Sequence, residues 1–199
     1  TLGGTHWADT NRVMLRNRRI GCSVSGIAQF ITTRGIHELK EWLEAGYDTI
    51  QDWDKQYSDW FAVPKSIKTT SVKPSGTVSL LAGATPGLHY PESRFYIRRV
   101  RLSKHSELIE PMKKAGYKIE PAYGSEDTTS VVEVPVDVGE GIRTAGELSI
   151  WEQFNIAAFM QRHWADNQVS CTVTFNPETE GEQIPHVLNY FQYHLKGIS

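Results

Sequence analysis

A tight turn between a strand-like segment and a helix-like segment constrains the fold of this chain most. Residues 66–72 carry β-branched side chains in rough alternation, which predicts a strand. Pro74 ends that strand, Gly76 permits a positive φ or a close backbone approach, and Thr77 is a favourable N-cap. A short apolar helix is predicted at residues 78–81. The sequence therefore predicts a strand, a turn and a helix in immediate succession.

The composition of this turn is typical of an anion-binding cradle. N–H groups at the start of a helix attract negative charge, and nearby hydroxyl groups can add further donors. We predict a phosphate site formed by Pro74, Ser75, Gly76, Thr77, Val78 and Ser79. The alternative is an ordinary strand-to-helix turn with good capping chemistry. The turn is not a Walker loop, because no Gly-Lys-Ser/Thr sequence follows four residues after a first glycine.

The loop that follows the cradle contains a histidine and a tyrosine, His89 and Tyr90. If this loop folds back over the cradle, both side chains are candidates for lining a nucleotide pocket. The alternative is that the loop has only a structural role.

Composition and charge restrict the class of protein. The 199 residues are 39% hydrophobic, which is sufficient for a buried core. A net charge of −2 argues against nucleic acid or a membrane surface as the main partner. No apolar run approaches the length of a membrane span, and the first residues lack a signal-peptide pattern, so we expect a cytoplasmic protein.

Helix-like and strand-like patterns alternate along the chain without a clear linker, which predicts a single α/β domain over residues 1–199. Strands are predicted at 66–72, 95–102, 131–136 and 169–175. Helices are predicted in the second half of 17–31 and at 36–62, 106–115, 149–165 and 185–195, with a bend near Gly46. The helix at 149–165 has the strongest signal, because Ser149 and Glu152 form a capping-box pattern. Three tryptophans at helical intervals are expected to be packing residues: Trp42, Trp53 and Trp60.

Two charged clusters leave alternatives open. The arginines at 98, 99 and 101 could clamp a phosphate, or they could face solvent or form ion pairs. Strand alternation places Arg99 and Arg101 on one face and Arg98 on the other. The glutamates at 178, 180 and 182 are interpreted as an exposed loop, and no histidine pair has metal-site spacing, so no metal site is predicted.

Four segments resemble ribonucleotide reductases in sequence, order and approximate spacing. They are NRRIG at 17–21, KPSGTVSLLAGATPG at 73–87, YIRR at 96–99 and DNQVSCTV at 166–173. The chain is most similar to the adenosylcobalamin-dependent class, and within it to the monomeric ribonucleoside-triphosphate reductases. A class I large subunit is a further alternative, although that class usually carries a different sequence at the phosphate loop.

This resemblance implies a fold and a reaction. The expected fold is α/β, half of a ten-stranded barrel of the ribonucleotide reductase type, and residues 1–199 would be a single carboxy-terminal fragment of that barrel domain. The implied reaction converts ribonucleoside triphosphates to 2′-deoxyribonucleotides by thiyl-radical chemistry, with adenosylcobalamin as the radical source. Backbone amides around Ser75, Gly76, Thr77 and Val78, with the hydroxyls of Ser75 and Thr77, would hold the substrate phosphates. The implied partners are the amino-terminal part of the reductase and a thiol reductant such as thioredoxin.

The thiyl-radical motif of the family, Asn-x-Cys-x-Glu, is not found in this sequence. The motif requires Asn two positions before the cysteine and Glu two positions after it. Those positions hold Ile20 and Val24 around Cys22, and Val169 and Val173 around Cys171. Cys22 falls on a predicted helix and Cys171 in an apolar strand, where a buried, inert thiol is expected. We therefore predict no catalytic residue and expect the fragment alone to be inactive. The alternative is a non-catalytic nucleotide-binding or phosphate-binding half-barrel, or an assembly module.

Overall fold

The computed structural model describes residues 4–76 and 78–199, and the chain divides into two compact units. The main unit comprises Thr1–Pro91 and Gly141–Ser199, and the small unit comprises Glu92–Glu140.

Helices make up most of the main unit. They are α1 (Ala8–Asn17), α2 (Ile27–Trp60), α3 (Val78–Leu81), α5 (Ile150–His163), α6 (Pro177–Glu180) and α7 (Ile184–Phe191), with 3-10 turns at Ala145–Glu147 and Gly181–Gln183. The predicted helices at 36–62, 149–165 and 185–195 are confirmed, whereas α1 has no counterpart among the predictions. Ser149 and Glu152 form the predicted capping box, in which each side chain bonds the backbone N–H of the other residue.

The long helix α2 is interrupted at a different glycine from the one predicted. Gly35 has non-helical φ and ψ angles of 84° and 165°, which divide α2 into a short first part and a long second part. Gly46 lies within the continuous helix, where a Cβ atom would stand 3.4 Å from the Trp164 ring. The predicted bend near Gly46 is therefore wrong, because this glycine provides close packing and Gly35 provides the left-handed conformation.

Short extended segments form the centre of the main unit. Parallel bridges join Cys22 to Thr70 and Val72 to Val169. The Ser199 carbonyl oxygen accepts from the Val173 N–H, and the Ser199 N–H donates to the Cys171 carbonyl oxygen. These two bonds, on either side of residue 172, are the pattern of another parallel pair. The segments predicted as strands at 66–72 and 169–175 are thus extended and paired, but through single bridges. Cys22 lies in an extended segment, so its predicted helical position is wrong.

The helices bury an apolar core against these segments. One cluster includes Ile27, Leu39, Leu43, Val72, Met160 and Val169, and a second contains Ile150, Phe154, Val187 and Phe191. Trp42, Trp53 and Trp60 are 65%, 46% and 63% exposed, so they are not core residues. Trp42 contacts Phe30, whereas Trp53 and Trp60 contact Tyr57.

The small unit is a three-stranded antiparallel sheet with one helix, α4 (Ile109–Lys114). The strands are β1 (Phe95–Ser103), β2 (Lys118–Pro121) and β3 (Thr129–Asp137), in the order β1-β3-β2. The predicted strands β1 and β3 are confirmed, and β2 was missed. The register places Arg99 opposite Glu133, and its guanidinium bonds Glu133 at 3.0 Å and also Glu120. These contacts favour the ion-pair interpretation for Arg99.

Candidate phosphate-binding site

The predicted cradle lies at the carboxyl end of a central extended segment. Residues 68–72 pair with the segment before them through Cys22 and with the segment after them through Val169, both in parallel. Their continuations, at Ser23, Lys73 and Thr174, therefore leave the same edge. Ligands in α/β sheets and barrels bind at this edge, because loops from adjacent strands converge there.

The turn itself is closed by Ser75 and Ser79. Ser75 adopts a positive φ of 53°, which is uncommon for a residue with a side chain. The Ser79 backbone N–H and hydroxyl both donate to the Ser75 carbonyl oxygen, at 3.3 and 2.5 Å, and Ser79 is buried. Its hydroxyl therefore stabilises the turn. Pro74 and Val78 are exposed and Ser75 and Gly76 are partly exposed, whereas Thr77 lies outside the described residues.

The following loop does fold back onto the turn. Gly87 has a φ of 50°, and a Cβ atom at this position would lie 2.3 Å from the Lys73 carbonyl oxygen. Only glycine fits such a close backbone approach. His89 and Tyr90 follow this contact and are both half-buried. Burial lowers the pKa of His89, which favours the neutral imidazole.

Tyr90 stands in a charged environment. Burial raises the pKa of its phenol, an effect that Arg143 opposes and Glu152 reinforces. Arg143 bonds Glu152 at 2.7 Å, and this bond together with the Ser149 backbone N–H lowers the pKa of Glu152 to about 2. The Tyr90 phenol is therefore neutral at physiological pH and available as a hydrogen-bond donor.

Three polar side chains that hold the loop were not predicted from the sequence. The Ser23 hydroxyl accepts from the Lys73 N–H at 2.9 Å, and the Ser25 hydroxyl accepts from the Gly87 N–H at 3.3 Å. The Gln29 amide accepts from the Thr85 N–H at 2.8 Å. Ser23 and Ser25 follow the NRRIG segment directly, which is the only sequence signal that could have indicated them.

Comparison with known proteins shows which proteins the whole chain resembles. No protein-family model matches the chain. A probable adenosylcobalamin-dependent ribonucleoside-triphosphate reductase from Dictyostelium discoideum is 60% identical over all 199 residues, and the Euglena gracilis enzyme of that name is 61% identical. Over its whole length, the chain is homologous to adenosylcobalamin-dependent ribonucleoside-triphosphate reductases. A reductase from Levilactobacillus brevis is 37% identical over the whole chain.

A solved structure supports the same assignment. The crystal structure of a B-12-dependent, class II ribonucleotide reductase matches 97% of this chain with a TM-score of 0.80 and 33% identity. The chain covers 31% of that structure and 26% to 30% of the lengths of the three reductases above. This reductase segment thus spans about a quarter to a third of the proteins it matches.

At the opposite, amino ends of the extended segments, the reductase segment has a dense side-chain network. The Asp166 carboxylate accepts from the Thr69 N–H at 2.9 Å, the Thr69 hydroxyl at 3.1 Å and the Tyr47 hydroxyl at 3.1 Å. Burial by itself raises the pKa of Asp166, but these bonds and Lys68 outweigh it, so the net shift is downward. Asn167 donates to the carbonyl oxygens of Ile20 and Thr70 at 2.9 and 2.8 Å, which joins neighbouring segments.

The two cysteines of the reductase segment differ in environment. Cys22 is exposed and Cys171 is buried, and both are free thiols. Burial raises the pKa of Cys171 to about 11, which makes it a poor nucleophile. The expected burial therefore holds for Cys171, whereas Cys22 is exposed.

The names of the relatives imply adenosylcobalamin as a cofactor. Residues 4–76 and 78–199 contain no group of three or more His, Cys, Asp or Glu residues able to hold a metal ion. Buried polar atoms without a partner in this part of the chain are single atoms on Ser71, Thr85 and Gln161, which do not form a donor set for a corrin. The described residues therefore do not form a site for the cofactor.

The acidic residues near the carboxyl terminus have a local role. Glu178 and Glu180 lie on α6, and Glu180 accepts a hydrogen bond from the Ile150 N–H at 2.8 Å at the start of α5.

In the part of the chain that the structure describes, no helix combines the length and apolar character needed to cross a membrane.

Proposed function

We propose that this chain is the phosphate-holding segment of a ribonucleoside-triphosphate reductase of class II. The whole enzyme would convert ribonucleoside triphosphates to 2′-deoxyribonucleotides, and residues 74–79 would bind the substrate phosphates. The observation that carries this proposal is the position of the loop at the carboxyl edge of parallel segments, in a chain 60% identical to a reductase.

The contribution of the loop is positional. Backbone amides around Ser75, Gly76 and Val78, with the hydroxyls of Ser75 and Thr77, would donate to phosphate oxygens. A fixed triphosphate holds the attached ribose in one place, so that a reaction with a neighbouring group becomes effectively intramolecular. His89 and Tyr90 would line the pocket beside the loop.

The radical chemistry would belong to other parts of the enzyme. This sequence has no Asn-x-Cys-x-Glu motif, so the thiyl cysteine would come from the amino-terminal part of the reductase. Adenosylcobalamin, held by other parts of the whole enzyme, would supply the radical. A thiol reductant such as thioredoxin would act on the whole enzyme, in the cytoplasm.

We also infer that the extended segments of the main unit are strands of the reductase barrel. Parallel pairing in the order of residues 20–22, 68–72, 169–173 and 199 supports this inference. The remaining strands of a ten-stranded barrel would come from the amino-terminal part. The single domain predicted over residues 1–199 would then be one part of that barrel domain.

The phosphate loop is tested by removing its side-chain donors. The double variant Ser75→Ala/Thr77→Ala should bind inorganic tripolyphosphate about a hundredfold more weakly in isothermal titration, because two hydrogen bonds to a charged group are lost. Thr49→Ala is a suitable control, since its hydroxyl bonds only the Ala45 carbonyl oxygen within α2. Unchanged affinity in a folded double variant would refute the phosphate role of these hydroxyls.

The enzyme and binding-module alternatives are separated by complementation. The chain is mixed with an amino-terminal reductase portion that carries Asn-x-Cys-x-Glu, in the presence of adenosylcobalamin and a dithiol. We expect deoxyribonucleotide to form only when both parts are present. Tripolyphosphate binding without turnover in any combination would favour a non-catalytic binding module.

A further inference from the structure

A single segment, residues 23–29, holds both arms of the loop at 73–90. On the incoming arm, the Lys73 N–H donates to the Ser23 hydroxyl at 2.9 Å. On the returning arm, the Thr85 carbonyl oxygen accepts from the Gly26 N–H at 2.8 Å. The proposed phosphate turn lies between these two attachments, so the distance between them determines the position and orientation of the turn.

Gln29 makes the most extensive side-chain attachment to the returning arm. Its Oε1 accepts from the Thr85 N–H at 2.8 Å, and its Nε2 donates to the Gly83 carbonyl oxygen at 3.0 Å. One amide group therefore satisfies a donor and an acceptor two residues apart, as a neighbouring strand would. Gln29 lies in the first turn of α2, which is anchored by the buried Ile27 and Ala28.

The geometry points to Gln29 as a positioning residue of the phosphate loop. This inference rests on the proposed function, because the loop matters as a site only if it binds phosphate. Gln29 fixes residues 83–85, which lead directly to Gly87. The backbone of Gly87 lies close against the Lys73 carbonyl oxygen. Through this contact, the orientation of the turn at Ser75 depends on Gln29. Gln29 itself is not proposed to touch the substrate.

The loss of Gln29 should loosen the loop more than it destabilises the protein. Thr85 is 2% exposed, so its N–H would lose its partner in a buried environment. The loop can relieve that cost by moving away from α2, since Gly83 and Gly87 permit alternative backbone conformations. The expected result is a mobile phosphate loop on an intact core.

The experiment compares Gln29→Met with Gln56→Met. Gln56 lies on the same helix and is exposed, which makes it a matched control. Three quantities are measured for each protein: the Kd for inorganic tripolyphosphate, the hydrogen-exchange rates of amides 73–87, and the thermal midpoint. We expect Gln29→Met to weaken binding about tenfold and to accelerate exchange at Thr85 by a similar factor, because two hydrogen bonds are lost. Gln56→Met should match the wild type.

The outcomes distinguish this inference from the proposed function. Normal tripolyphosphate affinity and normal Thr85 exchange in Gln29→Met would overturn the positioning role and leave the phosphate site intact. A wild-type chain that does not bind tripolyphosphate would overturn the proposed site, and with it this inference. If Gln29→Met does not fold, Ser25→Ala is used, since it removes only the acceptor of the Gly87 N–H. Unchanged affinity in that variant would also count against positioning by residues 23–29.

Discussion

The two ends of the parallel segments in the main unit are built in different ways. At the amino ends, side chains bond across segments, and Asp166 alone accepts three hydrogen bonds. At the carboxyl ends, backbone groups and small hydroxyls dominate, as in the contacts of Lys73 with Ser23 and of Gly87 with Ser25. The contacts at the amino ends thus stabilise the fold, whereas the carboxyl ends have the features of a ligand-binding surface.

This difference follows a physical requirement of such folds. Charged side chains that are satisfied by internal partners stabilise the segments but have little capacity left for a ligand. Backbone amides in a loop can bind phosphate oxygens without a competing internal carboxylate. Separation of the two roles onto opposite ends lets the site vary while the fold is retained. Stability and phosphate binding should therefore respond to substitutions at opposite ends of the segments.

The largest effect is expected for Asp166→Ala at the amino ends. Loss of three hydrogen bonds to a carboxylate should lower the free energy of unfolding by about 3 kcal/mol. Urea denaturation measures this change, with the exposed Asp52→Ala on α2 as a control. A folded Asp166→Ala protein that loses tripolyphosphate affinity without losing stability would reverse the comparison.

The next effect is expected at the carboxyl ends, for Gly87→Ala. Gly83 and Gly87 both have positive φ angles, but a Cβ atom meets backbone only at Gly87. Gly83→Ala should therefore lower the free energy of unfolding by about 1 kcal/mol, through the strain of a left-handed residue alone. Gly87→Ala adds a steric clash to that strain. We expect Gly87→Ala to abolish tripolyphosphate binding and Gly83→Ala to weaken it slightly, as measured by titration. Equal effects would mean that the Gly87 contact with Lys73 is unimportant.

A smaller effect concerns the pH dependence of stability. The pKa of Asp166 is lower in the folded state than its ordinary value near 3.8, so the unfolded state binds more protons in this range. Its contribution to stability is present above that value and is lost as the pH falls through the folded pKa. Asp166→Asn should therefore lose less stability than the wild type between about pH 5 and pH 2. Glu152 is present in both proteins and contributes equally to both. If the urea midpoints of the two proteins change with pH in the same way, the assignment to Asp166 is contradicted.

The smallest effect concerns the thiols in the middle of the segments. Ellman's reagent should modify Cys22 rapidly in the native protein, because this residue is exposed. Cys171 is buried with a pKa of about 11, so it should react only after denaturation. Cys22→Ser should abolish the native reaction. Two fast thiols in the native wild type would show that the segment around Cys171 opens readily.

Local features were well predicted from the sequence, and long-range ones were not. The capping box at Ser149 was recognised because both partners lie within four residues of each other. The break at Gly35 was missed because a glycine pattern does not distinguish a left-handed position from the close packing found at Gly46. Cys22 was placed on a helix because its pairing with Thr70, almost fifty residues away, has no local signal.

The candidate site shows the same division. The turn at residues 74–79 was identified from adjacent residues and from the resemblance to ribonucleotide reductases. The supports at Ser23, Ser25 and Gln29 were not predicted, since their partners are about fifty to sixty residues away along the chain. Their role depends on parallel pairing that brings two carboxyl ends together.

Titration of inorganic tripolyphosphate into the ¹⁵N-labelled chain, followed by amide chemical shifts, tests the central claim most directly. We expect the largest shifts at the amides of Ser75, Gly76 and Val78, with little change at Lys68 and Asp166. The cationic side chains of Lys68 and Lys196 lie at the amino ends, where non-specific anion binding would be seen instead. Shifts confined to those ends, or no saturable shift at all, would contradict the account.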